Sequence, residues 1–252
     1  MDTHFEKIRK VPAYRVLAEA ITERILDGTL RAGDPLPTEA RLCEMFGVNR
    51  STVREGIRAL EEANLLRREH PRKLVISHPT DREAVRYFER ALILQEVSFM
   101  ELWEAMVTFE PTMAALAAER RNAGALARLE ENVRATRMAV LEERGVVEMA
   151  IEFQRLVAEM SGNRVLVLAR APASHLFFPF FHAVITRVPT AKTRLVKAHQ
   201  EILACIVRRD ATGAQTWMRR HVDDFRRGAE RAGIDVHATV QVAQTDHADR
   251  KP

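Results

Sequence analysis

Apolar residues recur at helical spacing through most of the chain, with one short stretch near the N-terminus as the exception. A first amphipathic run covers Ala13 to Asp27 and stops at Gly28, and the turn Arg31-Ala32-Gly33-Asp34-Pro35 follows. Pro37 to Arg58 reads as two short helices joined by a tight turn at Gly47-Val48-Asn49. Leu42, Met45 and Phe46 give the first of these an apolar face. Val53, Ile57 and Leu60, at i, i+4 and i+7, give the second another. Asn49 or Ser51 is placed to accept the free N–H groups at the start of the second helix. Leu65 to Arg68 and Leu74 to Ile76 look like two short strands joined by the basic tip His70-Pro71-Arg72-Lys73. Three helices and a strand pair make a winged helix.

Ser77 to Asp81 marks a boundary, because Pro79 favours extended backbone and Thr80 or Asp81 can cap a following helix. Beyond it the period is helical, with helices expected at about 82–95, 99–121, 123–144, 146–160, 163–177, 180–187, 190–209 and 211–231. From Gly233 the chain turns polar and is expected to fray. The fold class is therefore mainly α. A winged helix-turn-helix domain over 1–78 precedes an all-helical bundle over 79–232 and a polar tail over 233–252.

Val165 to Ile185 is apolar enough to suggest a membrane span. However, Arg170, His175, His182, Pro172 and Pro179 lie within it. A central Arg costs about 2.5–3.5 kcal/mol on insertion scales, so a buried, proline-interrupted helix pair is the better reading. MDTHFEKIRK contains no apolar signal core. Cys43 and Cys205 sit among apolar neighbours, as reduced thiols do. A soluble, cytoplasmic protein is expected. The net charge of +4 permits a polyanionic partner without requiring one.

Charge becomes informative on one helix. Opposite Val53, Ile57 and Leu60 lie Asn49, Arg50, Ser51, Thr52, Arg54 and Arg58, cations and small hydrogen-bonders suited to phosphates and base edges. Such a face is often merely solvated. Here the basic wing strengthens it, since Arg50 to Lys73 holds seven Lys/Arg against four Glu. Arg50 and Arg54 are the candidates for base-edge or phosphate contact, helped by Asn49, Ser51 and Thr52. Arg58, His70 and Arg72 are expected at the backbone.

Ile25 to Leu66 resembles the GntR-type bacterial transcription regulators, with Gly28, Gly33-Asp34, Leu36-Pro37, Glu39, Gly47-Val48, Arg50 and Val53-Arg54-Glu55 in family order. Ala40 stands where the family often has Arg, and Pro71-Arg72 where the wing tip usually holds Gly. The bundle is similar to the FCD effector domain of the FadR branch, through Glu104, Phe109-Glu110, Leu116-Ala117-Ala118, Phe153, Ser161-Gly162-Asn163, His199, Ile202, Asp210, Ala214, Met218 and His221. The resemblance implies a homodimer on a palindromic double-stranded operator, with half-sites about 34 Å apart. It also implies a small organic effector in the bundle and, in many members, a divalent metal on one Asp and three His. Regulation by repression is expected.

The implied metal set is incomplete. His199 and His221 match two ligands, but the Asp and first His positions hold Ala150 and Gln154. Structural zinc needs four protein ligands and catalytic zinc three, so no cofactor is expected unless water or effector completes a shell. Met106 replaces an Arg that commonly faces an anionic effector. With Met106, Ala150, Gln154, His199 and His221 as the pocket, the effector is expected to be more apolar than usual. Phe177, Phe178, Phe180 and Phe181 either add to that pocket or are ordinary core.

The alternative function is a metal-dependent helical enzyme or metal sensor using His199 and His221. No Glu-x-x-His pair, nucleotide-cradling Gly loop, Gly-x-Ser-x-Gly elbow or His-Glu-x-x-His supports catalysis. A non-specific architectural DNA binder would not need a bundle twice the size of its head.

Overall fold

Leu17, Ile21 and Ile25, successive residues on one face, bury α1 (Ala13–Leu26) in a small core with Leu42, Val53, Ile57 and Leu60. Full burial of each such side chain contributes about 1.5–3 kcal/mol, so this core dictates how α2 (Glu39–Phe46) and α3 (Arg50–Glu62) meet α1. The computed structural model describes residues 11–70, 73–77 and 81–240. Two units divide it between Ala84 and Val85. The boundary expected at 78/79 falls on residues outside those described.

In the first unit Thr38 caps α2 and Gly47 ends it in the left-handed region, at φ 64°. That φ suits glycine and turns the chain into α3 within three residues. Asn49 caps α3: its Oδ1 accepts from the Thr52 N–H at 2.9 Å and from Ser51 Oγ at 2.7 Å. β1 (Leu66–His70) pairs antiparallel with β2 (Lys73–Ile76), Leu66 opposite Ile76, with an irregularity between Arg68 and His70. The loop before α2 adds to the far edge of β2, since the Leu36 N–H donates to the Leu74 carbonyl and the Ile76 N–H to Asp34. Met45 departs from expectation. It is 54% exposed, because a two-turn helix turns only one narrow row inward and Leu42 occupies it.

The second unit packs α5 (Phe99–Arg120), α6 (Ala123–Leu141), α7 (Val146–Met160), α8 (Arg164–Arg187), α9 (Ala191–Val207) and α10 (Ala211–Arg231) around one apolar core. α4 (Asp81–Leu94) runs across the division between the units. Two expectations are corrected here. The segments 163–177 and 180–187 form the single helix α8, with Pro172 and Pro179 inside it. The carbonyls that lose a donor to these prolines belong to Leu168 and His175, both exposed residues at which water can substitute. Residues 233–240 are not frayed. The Met100 N–H donates to the Val236 carbonyl at 3.0 Å and the Val240 N–H to Val97 at 2.8 Å, with Val236 and Val240 buried. Residues 241–252 lie outside those described.

Candidate nucleic-acid interface and effector core

The face of α3 opposite the head core is polar, continuous and exposed. Val53, Ile57 and Leu60 are buried to within 3%, while Asn49, Arg50, Ser51, Arg54 and Arg58 are exposed and Thr52 is half-buried. Arg50 and Arg58 make no ion pair among the described residues. Arg54 is held differently. Its Nε donates to both carboxylate oxygens of Glu39, at 3.0 and 3.2 Å, across the α2–α3 corner.

His70 is exposed at the end of β1, and Arg72 lies outside the described residues. The wing is less cationic than its sequence suggests. Lys73 Nζ lies 2.5 Å from Glu69, Arg67 3.7 Å from Glu69, and Arg68 3.3 Å from Glu61. The Lys73 ammonium holds the Glu69 carboxyl below its usual range.

In the bundle, Met106, Ala150, Gln154, His199 and His221 are all buried. His199 stacks on Phe153 with ring centroids 3.7 Å apart and meets the His221 ring edge-on at 5.2 Å. Both nitrogens of His199 and Nε2 of His221 lack a hydrogen-bond partner among the described residues. Burial therefore pushes the His199 imidazole far down, with His221 adding to the effect. Burial also pushes His221 down to about 4, against the opposing pull of Asp224.

Of the four ligands that the resemblance implies, His199 and His221 are the two present. Among the described residues no group of three or more His, Cys, Asp and Glu converges, and Ala150 and Gln154 supply neither carboxylate nor imidazole. Phe177 and Phe181 stack with Phe99 and Phe225 at 4.8 and 4.4 Å. They join α5, α8 and α10 as core, so they do not argue for an apolar effector; the Phe178 side chain is outside those described.

Sequence reasoning missed two features. Arg170 Nε donates to Glu110 Oε1 at 2.7 Å in the bundle interior, with Glu110 fully buried. Arg170 Nη2 donates to Ser174 Oγ at 3.0 Å, while Glu110 Oε2 has no partner among the described residues. Burial outweighs the guanidinium here and pushes the Glu110 carboxyl up. Lone acids and bases 60 positions apart carry no local signal. The second feature is a cationic groove between α9 and α10. Its Arg194–Lys197 and Arg220–Arg227 spacings were visible, but the pairing of the two helices was not.

A winged head with an arginine-bearing helix, joined to a helical bundle, defines the class of ligand-responsive DNA-binding regulators. Residues 13–76 match the bacterial regulatory proteins, gntR family, and residues 101–224 match the FCD domain. The chain belongs to the GntR family of transcriptional regulators and carries an FCD domain. It is 25% identical over 248 residues to the Glc operon transcriptional activator of Escherichia coli (strain K12), covering 94% of this chain and 96% of that protein. It is 27% identical over 214 residues to the uncharacterized HTH-type transcriptional regulator YcbG of Bacillus subtilis (strain 168), covering 82% and 88%. The solved Streptococcus agalactiae GntR shares its fold, with a TM-score of 0.59 at 24% identity over 85% of this chain and 99% of that one. These relatives are regulators, not enzymes. Among the described residues no helix is long and apolar enough to cross a membrane.

Proposed function

We propose that two copies of this chain bind a palindromic operator and release it when a small organic effector occupies the bundle. The single observation that supports this most is the division of α3. Its aliphatic side is locked into the head, and its Arg50–Arg54–Arg58 side is exposed. In this reading Arg50 and Arg54 reach base edges or phosphates from the major groove, with Asn49, Ser51 and Thr52 at the helix start. Arg58, His70 and Arg72 touch backbone. Repression is the simpler sign, since occupying a promoter needs only the head and no further contact surface.

The effector contacts Met106, Ala150, Gln154, His199 and His221, and its buried part is uncharged. The support is chemical: each of these side chains is buried, and none is a cation or a carboxylate. Effector binding shifts the equilibrium only as far as it prefers the DNA-incompetent state.

A footprint on genomic fragments tests the reading. Protection of one short palindrome is expected, whereas uniform coverage would point to architectural binding. Arg50→Ala should cost about 1–3 kcal/mol on that palindrome if it reads guanine, and Arg58→Ala should weaken all sequences alike and lower the salt slope by about 1.

A further inference from the structure

The α9–α10 hairpin leaves an outward-facing groove of about 480 Å³, within the range of about 300–1,000 Å³ typical of small-molecule sites. It exists because Ala198, on its α9 wall, has too small a side chain to fill the space between the helices. Arg194 and Lys197 flank Ala198 on α9, while Trp217, Arg220 and Arg227 line α10. One carboxylate, Asp224, sits among these four cations.

That carboxylate is already engaged. Asp224 Oδ2 accepts from Arg194 Nε at 2.8 Å, and its other oxygen lies 3.7 Å from Arg227. Lys197 has no ion pair among the described residues. Arg220 leans on the Trp217 ring, with Cζ 5.2 Å from the centroid, and has no carboxylate partner there either. Two uncommitted cations thus stand beside one flat aromatic wall. His221 also lines the groove, and it is 94% buried.

We infer that this groove is a second ligand site, outside the bundle interior, for a planar aromatic acid. The ring lies along Trp217, the carboxylate or phosphate takes charge-assisted hydrogen bonds from Lys197 and Arg220, and a ring substituent reaches the His221 edge. The site differs from the proposed interior one in charge and is built on α9 and α10 alone, whereas the interior one also draws on α5 and α7; His221 is the residue they share.

Calorimetry and thermal unfolding of the full chain test this with naphthoate, naphthyl phosphate, naphthamide and succinate. Saturable binding of at least one aromatic acid is expected, about tenfold or more tighter than naphthamide or succinate. The tighter of the two acids identifies carboxylate or phosphate as the source. Ala198→Leu, which fills the groove, should abolish binding. Lys197→Gln with Arg220→Gln should weaken it about tenfold or more. Because these two residues are exposed, the double variant decides the matter should Ala198→Leu unfold. No binding by either aromatic acid, or equal binding of succinate, overturns the site. Binding that survives the groove variants but is lost in Ala150→Leu also overturns it, and moves the ligand to the interior. That last result would leave the effector reading standing.

Discussion

Arg54 and Glu39 are joined across the corner of the helix-turn-helix, the Arg54 Nε lying 3.0 and 3.2 Å from the two Glu39 oxygens. The contact occupies Nε alone, so both terminal nitrogens of the guanidinium stay available on a side chain that is 60% exposed. An exposed pair of this kind contributes little to stability, about 0–1 kcal/mol. Its consequence is orientation: less side-chain entropy remains to be lost when Arg54 docks. Glu39→Gln keeps the shape and loses the charge. It should cut the preference for operator over random DNA about tenfold, with random-sequence binding unchanged or slightly tighter. Arg54→Ala should cost about 1–3 kcal/mol on the operator. Anisotropy titrations at matched salt check both, and wild-type discrimination by the Gln variant would remove Glu39 from this role.

Gly56 lies on the inner face of α3, where an added Cβ would stand 2.7 Å from Leu17 Cδ2 and 3.2 Å from the Tyr14 carbonyl oxygen. Leu17 is 1% exposed and has little room to yield. Alanine gains about 1 kcal/mol of helix propensity. Forcing α1 from α3 costs about 1–3 kcal/mol, so the clash wins. Gly56→Ala should lower the stability of the head by roughly 1 kcal/mol, and Gly56→Leu should prevent its folding. Denaturation followed by circular dichroism would read this. An unchanged midpoint for the Leu variant would mean that α1 and α3 are not packed as described.

The head was legible because its determinants are local. The Asn49 cap, the Gly47 turn and the Val53-Ile57-Leu60 stripe all fall between positions 47 and 60, and the winged fold follows from them. Met45 misled because helical spacing alone does not say how wide a two-turn helix's buried row will be. Pro179 misled because a proline removes one hydrogen bond wherever it stands, but breaks a helix only when the freed carbonyl cannot reach water. Residues 233–240 did carry a signal, the alternation of Ile234, Val236 and Val240, hidden among polar neighbours. The groove and the Glu110–Arg170 pair depend on which helices pair, and the spacing of residues along one chain does not encode that.

The Glu110–Arg170 pair can be tested by breaking it in two ways. Glu110→Gln leaves the Arg170 charge buried without its counter-ion, which should cost about 3–5 kcal/mol. Replacing both, Glu110→Leu with Arg170→Met, removes two desolvated charges and should be neutral or stabilising by about 1–4 kcal/mol. Urea denaturation of the three proteins gives the comparison. If the double variant loses as much as the single one, the pair contributes net stability that its burial argues against.

The histidine pair makes the bundle acid-sensitive, and the sign follows from where its protons go. Burial holds His221 at about 4 and His199 well below its ordinary value, whereas both rings titrate near 6.5 once unfolded. Below about pH 6.5 the unfolded chain takes up protons that the folded chain refuses. The stabilisation is therefore complete above that pH and drains away as pH falls toward 4. His221 alone accounts for roughly 3 kcal/mol of that loss, with Asp224 limiting it and His199 adding to it. Urea midpoints at about pH 7.5 and about pH 5 should differ accordingly, and replacing both residues by Leu should flatten the difference. A chelator should leave the midpoint at the higher pH unchanged, since two imidazoles without a third ligand hold a metal weakly. An equal acid loss in the double Leu variant would transfer the effect to carboxylates elsewhere. A chelator-induced drop would mean that the rings are ligands after all.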